Sequence, residues 1–401
     1  MNPSTLTWDT LDWAALDRLR DTFLAAKPAG ANYWMSRSDL DNYDFTFAQR
    51  IAWKWDAVLR ELRLRGWTPP SGGPLLDWGC GSGIAGRRVA EFFGPARFTA
   101  LRVFDHSLLA MEFAAGAARG TFPRLRIEPC PHPAFGHPLP SDGRGAGAPV
   151  QRPTTARPAE TAHATGDSER RPPVRRDPAL QNPAGSETGA PSVGTLVISH
   201  VLNELTDAGR QALRDAIDRA EAVLWVEPGT YADSRSLISM RETLRETFHV
   251  IAPCTHEAAC GLRTPENERH WCHHFALPPS GTMADSNWVR FSQRAGIDLR
   301  SLPYSFLVLE RKGLRDPIPG LLPNGYSRII GEPRFYKGYA QIFSCQADGV
   351  RDLTLQKRDA PVLFKALKDG RAKPVWRWAI EKERILSAGT VSDDDLSRSQ
   401  V

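Results

Sequence analysis

No stretch of the 401-residue sequence approaches the roughly 20 consecutive apolar residues of a membrane-spanning helix, so no membrane partner is expected. The opening residues, MNPSTLTWDTLDWAALDRL, also lack the basic and then apolar pattern of a secretory signal, which makes the expected compartment cytoplasmic. Cysteine is scarce, with six residues, and cytoplasmic thiols stay reduced; a disulfide framework is therefore excluded in favour of free or metal-bound thiols. Neither sign of charge dominates. Lys and Arg number 51 against 46 Asp and Glu, and a formal charge of +5 does not by itself establish a nucleic-acid partner. The excess is concentrated, however: between Arg290 and Glu383 it exceeds that of the whole chain.

Large apolar residues are almost missing from residues 131–193, which hold twelve of the 32 prolines. Such a segment cannot bury enough surface to fold, and it reads as a disordered spacer inserted in a globular frame. On either side the text alternates. Residues 8–26 (Leu11, Trp13, Leu16, Leu19, Phe23) and 45–66 (Phe47, Ile51, Trp55, Val58, Leu59, Leu62) predict two amphipathic helices within an N-terminal region, 1–70. Five β-type runs follow at 75–78, 100–105, 125–129, 195–200 and 222–229, and a sixth at 305–311, with helical text between several of them. This βα alternation predicts an α/β fold over 71–312, a mostly parallel sheet with helices on both faces. A cysteine-rich insertion at 250–290 is placed after the fifth strand. Residues 313–385 turn β-rich and basic, predicting a small C-terminal β-domain, and 386–401 read as a frayed tail.

The first strand runs into Asp77-Trp78-Gly79-Cys80-Gly81-Ser82-Gly83 and then into helical text. Glycines at Gly79, Gly81 and Gly83 allow a turn with positive φ and close approach of a ligand to backbone amides at a helix start. Asp105 ends the second strand, where an acid accepts hydrogen bonds from ribose hydroxyls. A dinucleotide site also satisfies the glycine spacing, but Asp77 two residues before the first glycine favours another cofactor: LLDWGCGSG resembles motif I of class I S-adenosylmethionine (SAM) methyltransferases, in which that acid serves the methionine end of SAM. After the fourth strand, Ile198-Ser199-His200-Val201-Leu202-Asn203-Glu204-Leu205 offers His200, Asn203 and Glu204 to a substrate or to SAM. Asn203 and Glu204 could equally cap the next helix. There is no Asn/Asp-Pro-Pro-aromatic motif of the kind found in many enzymes that methylate an exocyclic amine.

Cys254, Cys260 and Cys272 fall within nineteen residues, in a stretch rich in Gly, Pro and His. Thiolates suit zinc or an iron-sulfur cluster, and Cys345 is the remaining cysteine of the C-terminal half. His256, His270, His273 or His274 could instead complete a Cys3His zinc set, and the spacing matches neither a paired zinc ribbon nor the common ferredoxin run.

Taken with SHVLNEL, WVEPGT, CTHEAAC, WCHHF and SRIIGEPRFYKGYAQIFSCQADG, the chain resembles the methyltransferase-like family of ribosomal small-subunit proteins, with mitochondrial and bacterial members. The resemblance spans most of residues 75–350. It implies a class I SAM-methyltransferase (Rossmann-like) fold and a [4Fe-4S] cluster on Cys254, Cys260, Cys272 and Cys345. It further implies association with small-subunit ribosomal RNA during assembly; methylation of that RNA is the leading expectation for the SAM site, not an implication of the resemblance. The alternatives are a non-catalytic assembly factor and a zinc-containing SAM enzyme acting on a small molecule. The basic C-terminal part, where Arg334 and Lys337 interleave with Tyr336 and Tyr339, is the expected RNA contact, and a monomer is expected.

Overall fold

The computed structural model describes residues 6–24, 33–130 and 193–391. The expected spacer therefore lies, but for Val193, outside the described residues. Three helices come first, α1 (Trp13–Leu24), α2 (Arg37–Phe45) and α3 (Phe47–Leu64), where the apolar spacing predicted two. The extra helix, α2, starts from a reciprocal cap. Ser36 Oγ accepts from the Asp39 amide at 3.2 Å, and the Asp39 carboxylate accepts from the Ser36 amide at 3.1 Å. Its sparse apolar content hid it from periodicity. In α3, Trp55, Val58, Leu59 and Leu62 are buried, as their spacing requires.

There follow β1 (Leu75–Trp78), α4 (Ile84–Phe93), β2 (Leu101–Phe104), α5 (Leu108–Thr121), β3 (Ile127–Pro129), β4 (Val193–Ser199), α6 (Asp207–Ile217), β5 (Ala220–Pro228), α7 (Tyr231–Leu244), β6 (Phe248–Ala252), β7 (His274–Ala276), α8 (Ser286–Ala295) and β8 (Leu302–Arg311). The sheet order is β3-β2-β1-β4-β5-β8-β6, with β7 paired to β8. β1 to β5 run parallel, while β8 lies antiparallel between β5 and β6. The central strands are buried on both faces, which is why β4, β5 and β8 read as continuous apolar runs and not as alternation. One core layer joins Trp55, Leu62, Val89 and Ala118 to the sheet, and the opposite layer joins Leu213, Ile217, Leu237 and Leu244. Side-chain caps start the crossover helices: Ser107 for α5, Thr206 for α6 and Thr230 for α7. Strand β6 has only five residues and went unread in the sequence; with it present, the cysteine-rich segment follows the sixth strand, not the fifth.

A second sheet contains β9 (Ser327–Ile329), β10 (Arg334–Tyr336), β11 (Tyr339–Gln346), β12 (Gly349–Gln356), β13 (Val375–Glu381) and β14 (Arg384–Thr390), with helix α9 (Pro361–Lys368) between β12 and β13. β9 pairs with both β11 and β13, so β9-β11-β12-β14-β13 closes into a barrel, and β12 runs parallel to β14. Five strands in this order, with a helix after the third, have the connectivity of an OB-fold. Ala340, Ile342, Leu353, Leu355 and Ile385 fill the barrel, and Leu363 and Phe364 of α9 pack with them. The expected tail is corrected here: residues 386–390 complete β14, and its Ile385 is buried.

One buried ionic group ties α3 to the barrel and to the cysteine segment. Glu61 receives hydrogen bonds from Arg65, at 2.8 and 3.0 Å, and from Arg328 of β9. Arg65 also donates to the carbonyls of Ile251, Pro253 and Cys254 at 2.7, 2.8 and 2.9 Å. All three side chains are almost wholly inaccessible. A charge group so far from water survives only because every charge has a partner.

Candidate functional site

The glycine loop lies at the C-terminal end of β1, beside the C-terminal ends of β2 and β4, the crevice where open α/β sheets hold ligands. Gly79, Gly81 and Gly83 have φ of 69°, 51° and 77°, a region that side chains rarely enter. Close packing adds a second constraint: a Cβ at Gly79 would lie 2.7 Å from Val201, and one at Gly83 would lie 2.8 Å from the Ala114 Cβ. At Gly81 the nearest side chain is Trp34, at 3.9 Å, so the loop backbone there faces open space roofed by the segment ahead of α2. Both acids expected at this site are beside the loop. Asp77 Oδ2 accepts from the Gly86 amide at 2.9 Å, and burial pushes its carboxyl up to about 7. Asp77 Oδ1 and Ser82 Oγ are buried without a hydrogen-bond partner among the described residues. Asp105 accepts from the Gly81 and Ser107 amides, each at 2.9 Å, so it fixes the loop from the neighbouring strand.

The segment after β4 separates the residues that sequence had grouped. His200 is held at φ 56°, with its ring Nε2 3.1 Å from Lys54 Nζ and Nδ1 3.3 Å from Ser199 Oγ. Burial first, then Lys54 and Arg50, keep this imidazole neutral. Asn203 and Glu204 are exposed, and neither caps α6, which starts from Thr206. Although Glu204 keeps contact with solvent, partial desolvation on its protein side, with the Asp105 carboxylate second, raises its acid.

Sequence reading missed the basic side of the crevice. Burial, then Arg50, pull the Lys54 ammonium down to about 7, and burial together with Arg20 lowers Arg50 to about 10. Opposite them, Glu227 at the end of β5 accepts from Trp225 Nε1 at 2.7 Å and from the Val201 amide at 3.2 Å, and burial lifts it to about 8. Lys54 stands four residues before Val58 and eight before Leu62, on the buried stripe of α3, and a cation at that spacing was the legible signal.

The four cysteines of the expected set lie close enough to act on one another electrostatically. Burial pushes the Cys345 thiol well up, and Cys254, Cys272 and Cys260 add to that effect; Cys272 is raised by burial and then by Cys254 and Cys260. Cys260 is pushed up to about 11 by burial and then by Cys254. Cys260, Cys272 and Cys345 share an apolar pocket with Ile238, Leu262 and Ile330, while Cys254 packs against the neighbouring sheet core. Burial opposes the charge on Arg241, but Cys254 and Glu242 outweigh it and hold the guanidinium protonated beside the thiols. Of the four histidines, His256 lies 3.6 Å from Cys345 and His274 lies 3.7 Å from Cys272, whereas His270 packs on Phe343 and His273 on Trp271. Among the described residues no group of three or more His, Cys, Asp and Glu side chains is drawn together as a metal-ion shell. Cys345 lies on the outside of β11, and a Cβ at Gly261, next to Cys260, would meet the Gly349 backbone at 2.9 Å. The cysteine segment thus rests directly on the barrel.

Among the described residues no helix is long and apolar enough to cross a membrane. A comparison with curated proteins found no match. Solved structures similar to the chain include the plantazolicin methyltransferase BpumL bound to a desmethyl-plantazolicin analogue and SAH, at 10% identity and a TM-score of 0.34 over 76% of this chain and 99% of that one. The [4+2]-cyclase SpnF is similar at 12% identity and a TM-score of 0.30, over 64% of this chain and 81% of that one. A SAM-dependent methyltransferase of Leishmania major is similar at 11% identity and a TM-score of 0.28, over 74% of this chain and 82% of that one. Scores at this level bear on neither cofactor nor reaction. The sequence pattern of the family described as mitochondrial small ribosomal subunit Rsm22 matches residues 172–377. With just over half of its length matched, the chain belongs to the Rsm22 family.

Proposed function

We propose that this protein binds SAM in the crevice above β1, carries a [4Fe-4S] cluster on Cys254, Cys260, Cys272 and Cys345, and acts on the RNA of the ribosomal small subunit. The observation that carries the SAM reading is the glycine loop itself, with positive φ at three glycines and Asp77 and Asp105 fixed on either side of it. The unpartnered Asp77 Oδ1 suits the ammonium of the methionine end, and Asp105 lies where ribose hydroxyls would reach it. When bound, SAM supplies the electrophilic methyl group. The neutral His200 ring and Lys54 amine stand at the end of β4, and either could accept a proton from an acceptor nucleophile. Three free thiols, Cys260, Cys272 and Cys345, in one pocket, with Cys254 acting electrostatically on each of them and the buried Arg241 guanidinium as counter-charge, support the cluster reading. His256 beside Cys345 keeps a Cys3His zinc set as the variant to be told apart by metal analysis. Free thiols suit a reducing compartment; we expected the cytoplasm, and the family description names the mitochondrion.

A second reading, a non-catalytic assembly factor, is favoured by one contact: Lys54 and His200 fill the end of β4 against each other, where an acceptor would enter. Labelled SAM offered with immature small subunits separates the two. Label in the RNA is the outcome expected of the enzyme, and SAM binding without transfer is that of the assembly factor.

SAM affinity should depend on pH through Asp77. Its carboxyl is raised to about 7, and only the carboxylate attracts an ammonium, so affinity measured by calorimetry is expected to climb between pH 6 and 7.5 and then level off. For the unliganded chain the sign reverses. A raised acid pKa means the folded state holds more protons, so this group's contribution to stability falls as pH rises from about 4 to about 7. A SAM affinity flat across that range in both wild type and Asp77→Asn would remove Asp77 from the site.

A further inference from the structure

The barrel's outer face is organised for a ligand that the SAM crevice does not account for. In β11 and β12, Ala340, Ile342, Leu353 and Leu355 point inward, so Tyr339, Gln341, Phe343 and, across the pair, Gln356, Thr354 and Asp352 form the outer surface. The edge strand β10 extends this surface by placing Tyr336 opposite Tyr339 and Arg334 opposite Gln341. The Tyr336 and Tyr339 rings stack nearly parallel, with centroids 4.8 Å apart and 12° between planes, and Tyr336 is 49% exposed. A flat phenol face is thereby held open to solvent. Beside it, Gly338, Gln356, Lys357, Arg358 and Pro361 line an open cleft. Among the described residues Lys337 and Lys357 have no carboxylate partner; Arg334 neutralises Asp352, and Arg358 lies 3.8 Å from Asp359.

We propose that this face, with Tyr336 and Tyr339 as a stacking platform and Lys337, Lys357 and Arg358 around it, binds single-stranded RNA. Three properties point to a single strand over a duplex. The second and third strands of an OB-fold, with the loop after its first strand, form the surface on which such barrels hold oligonucleotides, and β11, β12 and the β10 segment are those parts here. An exposed ring offers its π-face only to an unpaired base, since duplex bases are already stacked. The unpaired lysines flank the rings, where the phosphates of a stacked nucleotide would run. The inference rests on RNA being the partner and adds which surface holds it and in what form.

The test uses the full chain, with fluorescence anisotropy on a labelled 12-nucleotide single strand and on the duplex of the same sequence. The single strand should bind at least tenfold more tightly than the duplex. Tyr336→Ala with Tyr339→Ala should weaken it about tenfold or more, in line with base stacking on aromatic rings, while Tyr336→Phe with Tyr339→Phe, which keeps the rings, retains wild-type affinity. Lys337→Ala with Lys357→Ala should flatten the salt dependence by about 1.4 in log–log slope. Equal binding of duplex, or an alanine pair with unchanged affinity and an intact melting curve, overturns the proposal. If wild type binds whole small subunits but not the oligonucleotide, only this inference falls; if it binds neither, RNA as partner falls with it.

Discussion

Cys345→Ser, purified without oxygen, is expected to drop from about four iron atoms per chain to almost none and to lose its brown absorption, whereas Cys130→Ser keeps both. Cys345 joins the pocket of Cys260 and Cys272 from a different part of the chain, on the outside of β11, while its neighbours Ala340, Ile342 and Ser344 occupy the interior side. A serine there removes a soft ligand without disturbing the barrel's filling, so circular dichroism should be retained while the metal is lost. The loss should also loosen the joint between barrel and sheet, because a cluster held from both sides contributes folding energy as structural metals do. Zinc in a colourless wild-type protein would transfer the site to the Cys3His alternative, and undiminished iron in the serine variant would remove Cys345 from the ligand set.

The second large effect needs no cofactor. Glu61→Gln leaves Arg65 and Arg328 buried side by side without their shared carboxylate, a loss expected to cost about 3–5 kcal/mol in denaturant unfolding. Against a typical total of about 5–15 kcal/mol this is a large share. Burial alone would raise the Glu61 acid, but Arg328 and then Arg65 outweigh it and hold it below the ordinary carboxylate range. The sign follows: a depressed acid pKa gives stability that is present above about pH 4.5 and lost as pH falls below it, and the variant should lack that acid-dependent component. A change under about 1 kcal/mol would mean that Arg65, through its three carbonyl partners, holds the joint without Glu61.

The sheet was legible because its buried strands are apolar throughout and its glycine loop interrupts them at the first turn. Asp77, Gly79, Gly81, Gly83 and Asp105 gather as their positions on β1 and β2 require, and Cys254 acts electrostatically on Cys345 although 91 positions separate them. The missed parts share a physical reason. α2 and β6 are short, and what fixes them is a cap and strand pairing, not periodicity. The basic side of the crevice, Arg50 and Lys54, comes from a helix far from any motif, and only the fold brings it against His200. The barrel's closure is set by β9 pairing with two strands at once, a long-range feature that local pattern does not encode. His200, Asn203 and Glu204 were adjacent in sequence and therefore grouped; a backbone turn at φ 56° sends the histidine inward and leaves the other two at the surface.

Isothermal titration of the purified chain decides whether the loop above β1 is a SAM site. SAM and SAH should each bind at one molecule per chain, NAD should not bind, and Asp105→Ala, which frees the Gly81 and Ser107 amides, should weaken SAM at least tenfold. Saturable binding of NAD, or no heat from SAM with a chain that melts cooperatively, would contradict the account.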